Sequence, residues 1–221
     1  MIERIVVVGG GGFGRETLDV IDALIAAGEP LQVLGVIDMA LNEKNLDRLR
    51  DRGVAYLGTE ESWLPSAVGD ERFVIAVGSP RARAAIADRF SRTGLSAITL
   101  IHPRAVIGSK TRIGLGAVIA SGVQLSTNVS IGDHTHLNPG CIVGHDSTLE
   151  DFVSVNPGAV ISGDVVIASG ALLGAGSVVL QGLRVGAGAT IGAAACATRS
   201  VDPEAVVVGV PARPIRSGTC A

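Results

Sequence analysis

The sequence predicts a chain of two architectures, a small α/β domain followed by an all-β solenoid. Residues 1 to about 103 alternate strand-like and helix-like apolar patterns. From residue 107 to residue 191 an aliphatic side chain recurs at every sixth position without a gap. The chain also has 30 glycines in 221 residues, which indicates dense turns because glycine weakens the interiors of helices and strands.

The first half contains alternating elements of ordinary length. The predicted strands are residues 5–8, 31–37, 73–78 and 97–103, and the predicted helices are residues 15–27 and 81–91. Strands that alternate with helices at this spacing form a parallel sheet with helical crossovers. Residues 1–103 are therefore predicted to form one small α/β domain.

The second half has a period of six residues and a longer period of 18. All fifteen residues at six-residue intervals from Ile107 to Ile191 are Ile, Leu or Val, which is typical of a β-solenoid. The glycines Gly122, Gly140, Gly158 and Gly176 are 18 residues apart, so one coil has three faces and equivalent residues stack. Fifteen six-residue units make about five coils over residues 104–193, roughly 24 Å long. Residues 194–221 are expected to form a C-terminal coil and tail.

Composition narrows the classes of function. Charged residues are 18% of the chain and the net charge is −3, so no basic surface for nucleic acid is predicted. The three cysteines lie at unrelated spacings, which favours neither a disulfide framework nor a zinc knuckle. No basic leader and no apolar run of membrane-spanning length is evident, so the expected location is cytoplasmic, with no integral membrane segment.

The segment "VVVGGGGFGRE" near the start has the spacing of a dinucleotide-binding loop. Gly9, Gly11 and Gly14 follow a strand and precede a helix, which makes the domain Rossmann-like and predicts a phosphate site at the helix N-terminus. Asp38 ends the second strand and Gly78 the third, at the same sheet edge. Because the solenoid leaves no second α/β half for nicotinamide, a nicotinamide enzyme is not favoured.

Four segments in order resemble the sugar O/N-acyltransferases of the left-handed β-helix, hexapeptide-repeat acyltransferases. They are "VVVGGGGFGRE", "IHPRAVIG" at residues 101–108, "NPGCIVGHD" at residues 138–146 and "VVVGVPARPI" at residues 206–215. This family includes sialic-acid O-acetyltransferases and the bacillosamine-pathway and perosamine N-acetyltransferases. The resemblance implies a left-handed parallel β-helix, a homotrimer with active sites between subunits, acetyl-CoA as acyl donor and a nucleotide sugar held by the N-terminal domain.

The resemblance also implies that His145 is the general base and that Asp146 raises its basicity. The repeat places His145 at a corner of a coil, outside the apolar interior, and places Gly163 directly above it. That stacking leaves room for a substrate and brings a backbone N–H near a developing oxyanion. The alternative is a surface histidine in a turn, with Asp146 chosen for its tolerance of left-handed backbone.

Further site residues follow from the resemblance, position by position. The acyl donor is expected near Ser154, where relatives can carry His, and along Gly163, Ala175 and Ala193. The nucleotide sugar is expected at Gly11, Gly12, Phe13, Gly14, Asp38, Gly78 and Asn138. Arg199, Arg213 and Arg216 are candidates for the phosphates of CoA, with solvated tail charges as the alternative.

The function predicted from the sequence is N-acetylation of a nucleotide-activated amino sugar, such as a 4-amino-4,6-dideoxy sugar, for surface glycan synthesis. Within the same class, O-acetylation of sialic acid or a related sugar is the alternative. From other classes, the alternatives are a zinc enzyme like the γ-class carbonic anhydrases, with His102, His134 and His136 as ligands, and a non-catalytic scaffold. The spacing of these histidines does not reproduce that zinc family's pattern, so no metal is expected.

Overall fold

A computed structural model describes residues 2–215 of the chain. The N-terminal part is a parallel four-stranded sheet in the order β2-β1-β3-β4 with helices packed on it. Its elements are β1 (Glu3–Val8), α1 (Gly12–Ala26), β2 (Leu31–Ile37), α2 (Glu43–Asp51), α3 (Glu60–Trp63), a 3-10 turn (Leu64–Ser66), β3 (Arg72–Ile75), α4 (Pro80–Phe90) and β4 (Ser96–Ala97). The predicted small parallel sheet with helical crossovers is confirmed.

Three helices differ from the sequence prediction, and one of them, α3, is a four-residue helix where none is predicted. Helix α1 begins at Gly12, three residues before the predicted start, because the last glycines of the loop already adopt helical backbone. Helix α2 lies in a stretch where no helix is predicted from the sequence. Its sequence is mostly charged and its only buried residue is Leu49, so it lacks the apolar periodicity on which the prediction depends. An Asn42 side chain that accepts from the Asn45 N–H caps its start.

The solenoid consists of short strands on three faces, each a parallel sheet apart from one antiparallel end strand. The first face contains Leu100–Ile101, Val118–Ile119, His136–Leu137, Ser154–Val155, Leu172–Leu173, Thr190–Ile191, Val206–Val208 and the antiparallel Arg213–Pro214. The second face contains Val106–Ile107, Gln124–Leu125, Ile142–Val143, Val160–Ile161, Val178–Val179 and Cys196–Ala197. The third face contains Arg112–Ile113, Ser130–Ile131, Thr148–Leu149, Val166–Ile167 and Arg184–Val185.

The strand register confirms the 18-residue coil. Ile142 pairs with Val160 and with Gln124, each 18 residues away. The aliphatic residues at every sixth position fill the interior and are buried from Leu125 to Ile191, whereas Ile107 in the first coil is 38% exposed. The corner glycines and the residues after the next strand adopt positive φ, as at Gly140 (+71°) and Asp146 (+61°). Left-handed backbone thus turns the chain at fixed positions of every coil.

The solenoid has about six coils, one more than the period from residue 107 to residue 191 predicts. Strand Leu100–Ile101 begins it just before the boundary predicted after residue 103, and strand Cys196–Ala197 extends it beyond residue 191. Ala197 occupies the inward position there and is 1% exposed. Because alanine is not one of the three aliphatic residues that define the repeat, the pattern ends before the coils do.

The α/β domain covers one end of the first face. Leu100 and Val118, which point outward from the solenoid, are 1% exposed because they pack into the same apolar cluster as Leu18 and Ile5. The Thr99 hydroxyl donates to the Gly114 carbonyl at 2.8 Å across the same contact. Among the described helices, none has the length and hydropathy of a membrane span.

Candidate active site

The glycine loop between β1 and α1 forms an open cradle at the carboxyl edge of the sheet. Gly9 has φ +112°, and a Cβ there would lie 2.7 Å from the Ala76 carbonyl oxygen, so only glycine fits. Gly11 and Gly12 face open space, and α1 begins with no side chain capping its first N–H groups. A free helix N-terminus of this kind suits a phosphate.

Asp38 holds this loop in place. One carboxylate oxygen of Asp38 accepts from the Gly10 N–H at 2.7 Å, and the other accepts from the Ala40 N–H at 2.8 Å. Each oxygen retains a further lone pair. Asp38 therefore shapes the cradle and remains able to accept a hydrogen bond from a ligand.

Two cavities flank the cradle. The edge cavity, about 290 Å³, is lined by Val8, Gly9, Asp38, Met39, Glu60, Val77, Ala82, Ala85, Ile86 and Arg89. The junction cavity, about 330 Å³, lies between the α/β domain and the solenoid and is lined by Phe13, Glu16, Gly78, His136, Asn138, Ser154, Asn156 and Pro157. Val77 and Gly78 are consecutive, so the two cavities adjoin on either side of one peptide unit.

His136 forms part of the wall of the junction cavity. Its Nε2–H donates to the Ile75 carbonyl at 2.9 Å, and its ring lies 4.4 Å from the Phe13 ring. Burial and the nearby Arg83 hold the pKa of His136 well below its ordinary value. The ring is therefore neutral, with Nδ1 as a hydrogen-bond acceptor, because a carbonyl partner requires the proton on Nε2.

Arg83 joins α4 to the solenoid from a fully buried position. Its guanidinium donates to the carbonyl oxygens of His134 and Phe152 at 2.7 Å each, to the Val77 carbonyl at 2.9 Å and to the Ser154 hydroxyl at 2.9 Å. Burial lowers the pKa of Arg83 to about 9, so the group stays cationic at neutral pH. One side chain thereby fixes the two walls of the junction cavity relative to each other.

Arg83 is not among the site residues predicted from the sequence, although the sequence contains a signal for it. Arg83 lies on the same helix face as Ile86 and Phe90, which are both buried. A cation on an apolar helix face, with no acidic residue near it in sequence, indicates a buried functional or structural group. Its partners in the solenoid are 51 to 71 residues away in the sequence, so the sequence alone does not name them.

Replacement of Arg83 by Met is expected to lower the free energy of unfolding by about 3 kcal/mol, because several buried acceptors lose their donor. Urea denaturation followed by circular dichroism measures this. Arg81 lies on the same helix and is exposed, so Arg81→Met is the matched control and should change stability by less than about 0.5 kcal/mol. Equal stability of the two variants would contradict a joining role for Arg83.

His145 and Asp146 lie at the corner between the second and third faces. This corner is called here the His145 corner, and it comprises residues 144–147 and their counterparts at intervals of 18. The Nδ1–H of His145 donates to Asp146 Oδ2 at 2.7 Å, and the Asn128 amide donates to Asp146 Oδ1 at 2.7 Å. These hydrogen bonds, from Asn128 and then from His145, hold the pKa of Asp146 below its ordinary value. Asp146 is therefore ionised at neutral pH, and in the neutral form of His145 the proton on Nδ1 leaves Nε2 as the acceptor.

Gly163 lies against the His145 ring, as the 18-residue period predicts. A Cβ on Gly163 would lie 2.6 Å from His145 Nε2, so any side chain there would displace the imidazole. Within residues 2–215 the Gly163 N–H donates to no acceptor, while the neighbouring Asp164 N–H donates to the His145 carbonyl at 2.8 Å. A free donor thus lies beside the free Nε2 of His145.

The remaining predicted residues divide into separate groups. Phe13, Gly78, Asn138 and Ser154 meet at the junction cavity, where the Asn138 amide donates to the Asn156 amide oxygen at 3.1 Å. Ala175 and Ala193 are exposed and lie above Pro157 on the Asn138 corner, defined as residues 138–141 between the first and second faces and their counterparts at intervals of 18. Within one chain, His145 lies on a different corner from these residues.

The C-terminal arginines are partly described. Arg199 and Arg213 line a small cavity of about 170 Å³ at the end of the solenoid, with Ser200 and Pro214, and both arginines are exposed. Arg216 lies outside the described residues. Whether these cations contact CoA phosphates stays a prediction.

The histidines proposed as zinc ligands do not converge in the described part of the chain. His102 Nδ1 accepts from the Arg104 N–H at 3.0 Å, the His134 ring stacks on Phe152 at 5.5 Å, and His136 Nε2 contacts a carbonyl. Among residues 2–215 no three His, Cys, Asp or Glu side chains are grouped as a metal site requires.

Comparisons with known proteins cover both halves of the chain. Residues 4–90 match the family model of the PglD N-terminal domain. A GDP-perosamine N-acetyltransferase of Escherichia coli O157:H7 is 33% identical over 142 residues, which are 63% of this chain and 61% of that protein. The match thus spans about three fifths of the length of this curated relative.

Solved structures resemble nearly the whole chain. A variant of perosamine N-acetyltransferase from Caulobacter crescentus, in complex with CoA and GDP-perosamine, has a TM-score of 0.86 and 28% identity over 98% of this chain and 99% of that one. The acetyltransferase domain of PglB from Neisseria gonorrhoeae FA1090 has a TM-score of 0.83 and 26% identity over 96% of this chain and 100% of that one. The same PglB domain is also solved with acetyl coenzyme A.

Proposed function

We propose that the chain is a member of the hexapeptide-repeat family of sugar N-acetyltransferases, which its similarities support, and that it transfers the acetyl group of acetyl-CoA to the amino group of a nucleotide-linked amino sugar. The observation that carries the proposal is the pairing of a phosphate cradle at the N-terminus of α1 with an Asp146–His145 pair beside the free N–H of Gly163. Relatives with this fold are perosamine N-acetyltransferases, one of them in complex with CoA and GDP-perosamine.

The reaction we propose uses three groups at the His145 corner. The neutral sugar amine attacks the thioester carbonyl carbon, and His145 Nε2 accepts the proton that the nitrogen loses. Asp146 accepts the Nδ1–H of His145 at 2.7 Å and stabilises the imidazolium that forms. The Gly163 N–H donates to the developing oxyanion. The intermediate then collapses, the C–S bond breaks, and the CoA thiol leaves with the proton that His145 returns.

The substrates are assigned to surfaces of matching chemistry. In the proposal Gly11, Gly12, Phe13 and Gly14 hold the diphosphate, Asp38 accepts from the ribose, and Gly78 and Asn138 lie beside the sugar. Acetyl-CoA fits along the Asn138 corner, because the small residues Ala175 and Ala193 leave a groove there, with the acetyl end toward Ser154 and toward Gly163 of a neighbouring protomer. Ser154 is 2% exposed and engaged with Arg83, so its part is to shape the wall.

We also propose that the active protein is a homotrimer built on the second face. All but one of the outward residues of that face are apolar, whereas the third face carries polar or charged residues at most of the same positions. The outward residues of the second face are Val106, Gln124, Ile142, Val160, Val178 and Cys196, and those of the third face are Arg112, Ser130, Thr148, Val166 and Arg184. Exposed apolar surface of this extent is typical of an interface.

A trimer on this face also completes the site. In a closed ring each interface is formed by two different patches of the protomers. The second face is bounded by the His145 corner on one side and by the Asn138 corner on the other. His145 of one protomer would then lie beside the groove and junction cavity of its neighbour, which one chain alone keeps apart.

Replacement of Ile142 by Lys is expected to convert the trimer to monomers and to abolish turnover, because it places one charge from each protomer in the apolar contact between protomers. Sedimentation velocity and a thiol-release assay measure the two effects. Thr148→Lys makes the same charge change on the third face and should leave both unchanged. A wild-type chain that is monomeric and fully active would contradict the proposed assembly.

The proposed function is tested by thiol release from acetyl-CoA with a panel of UDP-, GDP- and dTDP-linked 4-amino sugars. Free sialic acid serves as the control for O-acetylation. Release with an amino sugar nucleotide, and none with its 4-hydroxy counterpart, supports N-acetylation. Acetylation of sialic acid alone, or no release with any acceptor, would overturn the proposal. We also propose a role in surface glycan synthesis and a cytoplasmic location, because nucleotide-activated sugars are used in such synthesis.

A further inference from the structure

One column of the His145 corner consists of residues with left-handed backbone. Lys110, Asn128, Asp146 and Asp164 follow one another at intervals of 18 residues, and their φ angles lie between +57° and +61°. Asparagine and aspartate tolerate this backbone better than most residues, so conformation alone explains their presence here. Conformation does not explain which of the two residue types stands at which position of the column.

The backbone of the corner holds successive side chains of this column in line. The Asn128 N–H donates to the Ser109 carbonyl at 2.8 Å, and the Asp146 N–H donates to the Thr127 carbonyl at 3.2 Å. Each coil is therefore attached to the preceding coil directly at the left-handed residue. Because successive coils are about 4.8 Å apart, a short amide side chain at position 128 is long enough to reach the carboxylate of Asp146.

Asn128 and His145 divide the two carboxylate oxygens of Asp146 between them. The Asn128 amide donates to Oδ1 at 2.7 Å, and the Nδ1–H of His145 donates to Oδ2 at 2.7 Å. The side chain of Asp146 is 49% exposed, so packing restrains it little. The two hydrogen bonds therefore fix its orientation, because the carboxylate cannot rotate without losing one of them.

The residue type at position 128 decides whether this contact exists. An ionised carboxylate only accepts hydrogen bonds, whereas an amide nitrogen donates two. A bond to Asp146 therefore requires Asn rather than Asp at position 128, although both residues tolerate left-handed backbone. The next pair of the column, Asp146 and Asp164, consists of two acceptors, and within residues 2–215 no hydrogen bond joins their side chains.

Asn128 lies on the opposite side of Asp146 from the reacting atoms. His145 Nε2 faces Gly163 in the following coil, whereas Asn128 belongs to the preceding coil. A neutral imidazole that is free in water carries its proton mainly on Nε2, which is the nitrogen that the proposed reaction needs as an acceptor. The proton stays on Nδ1 only if an acceptor is held in place beside that nitrogen, and Asn128 holds that acceptor.

We propose that Asn128 is a positioning residue of the acetyl transfer, which orients the Asp146 carboxylate so that Oδ2 keeps the His145 proton on Nδ1 and leaves Nε2 as the base. The inference rests on the proposed function, in which Nε2 accepts the proton of the sugar amine. Asn128 acts through Asp146 and contacts no reacting atom. Its loss therefore lowers kcat and leaves the KM of acetyl-CoA and of the sugar nucleotide unchanged.

Two variants remove the donor in different ways. Asn128→Asp keeps the size of the side chain and its tolerance of left-handed backbone, and Asn128→Ala removes the amide without adding a charge. Each is expected to lower kcat about tenfold, as the loss of one hydrogen bond to a charged group does, with unchanged KM values in the thiol-release assay. Lys110→Ala is the matched control, because φ is +57° there and +58° at Asn128, and it should keep wild-type kcat.

Nitrogen NMR of protein labelled at histidine measures the tautomer of His145 without any substrate. Comparison with His145→Ala assigns the signals, and the spectra are recorded at a pH at which imidazole is neutral. The wild-type protein and Lys110→Ala are expected to show the Nδ1–H tautomer. Asn128→Asp and Asn128→Ala should show a larger fraction of the Nε2–H tautomer. A purely structural role of Asn128 would not change this equilibrium.

The outcomes separate this inference from the proposed function. An unchanged tautomer in a folded Asn128→Asp variant, wild-type kcat in both variants, or an equal loss of kcat in Lys110→Ala would overturn the positioning role. If Asn128→Ala does not fold, Asn128→Asp decides the matter, because Asp occupies the same backbone at positions 146 and 164. A changed tautomer in a protein that releases no thiol with any amino sugar nucleotide would instead contradict the proposed function and leave the orientation of His145 by Asn128 standing.

Discussion

Replacement of Val143 by Asp is expected to prevent the solenoid from folding. Val143 is fully buried in the middle of the second face and belongs to the apolar cluster that runs through the coils. The change removes about 1.5–3 kcal/mol of apolar burial and adds an unpaired carboxyl group, which costs several kcal/mol more whether it stays charged or takes up a proton. The sum approaches the total stability of an ordinary domain, about 5–15 kcal/mol.

A matched control separates the effect of burying a carboxyl group from the effect of introducing one. Val166 lies in the third face at an outward position and is only half-buried, so Val166→Asp should give a soluble, folded protein. Expression, solubility and far-UV circular dichroism compare the two variants. A soluble Val143→Asp variant with an unchanged spectrum would show that this position is not part of a packed interior.

Replacement of His145 by Ala is expected to lower kcat about 100-fold or more, the usual contribution of a general base, without loss of the trimer. The physical reason is that Asp146 holds the proton of His145 on Nδ1 at 2.7 Å, which leaves Nε2 free beside Gly163. Steady-state thiol release gives kcat, and sedimentation velocity reports assembly. The side-chain hydrogen bond of His102 among the described residues is to the Arg104 N–H in its own loop, so His102→Ala is the control and should keep wild-type kcat.

The hydrogen bond between His145 and Asp146 makes the expected kcat depend on pH. Hydrogen bonds from Asn128 and His145 lower the pKa of Asp146, so the pair is intact at neutral pH and is lost only as pH falls through the lowered pKa. Asp146→Asn should reduce kcat because a neutral amide has no charge to stabilise the imidazolium and has one oxygen in place of the two that accept from His145 and Asn128. Wild-type turnover in both His145→Ala and Asp146→Asn would remove the proposed base from the mechanism.

Much of the solenoid could be predicted from the sequence. Ile142 pairs with residues 18 positions away, and Gly163 lies on His145 as the same interval requires. The prediction failed where the pattern became weak, as at Ala197 in the last coil and in the charged helix Glu43–Asp51. In both places tertiary packing stabilises a helix or strand that the local residue pattern does not predict.

The candidate site was predicted only in parts. The glycine cradle and the His145 corner each follow from a local motif, because their residues are neighbours in sequence or in adjacent coils. The buried Arg83 and the position of Ser154 in the junction wall were not predicted. Each depends on contacts between segments that no short motif connects.

The sequence by itself determined the coil, its corners and the stacking of residues across them, since in a solenoid the strand partner of each residue lies one period away. The tertiary structure alone decided how the α/β domain is placed on the first face. Arg83 reaches Ser154 across 71 residues and Ser154 reaches Gly78 across 76. At such separations the contact partners are determined by how whole helices and sheets pack together. The residue pattern of one segment therefore does not predict which distant segment it will contact.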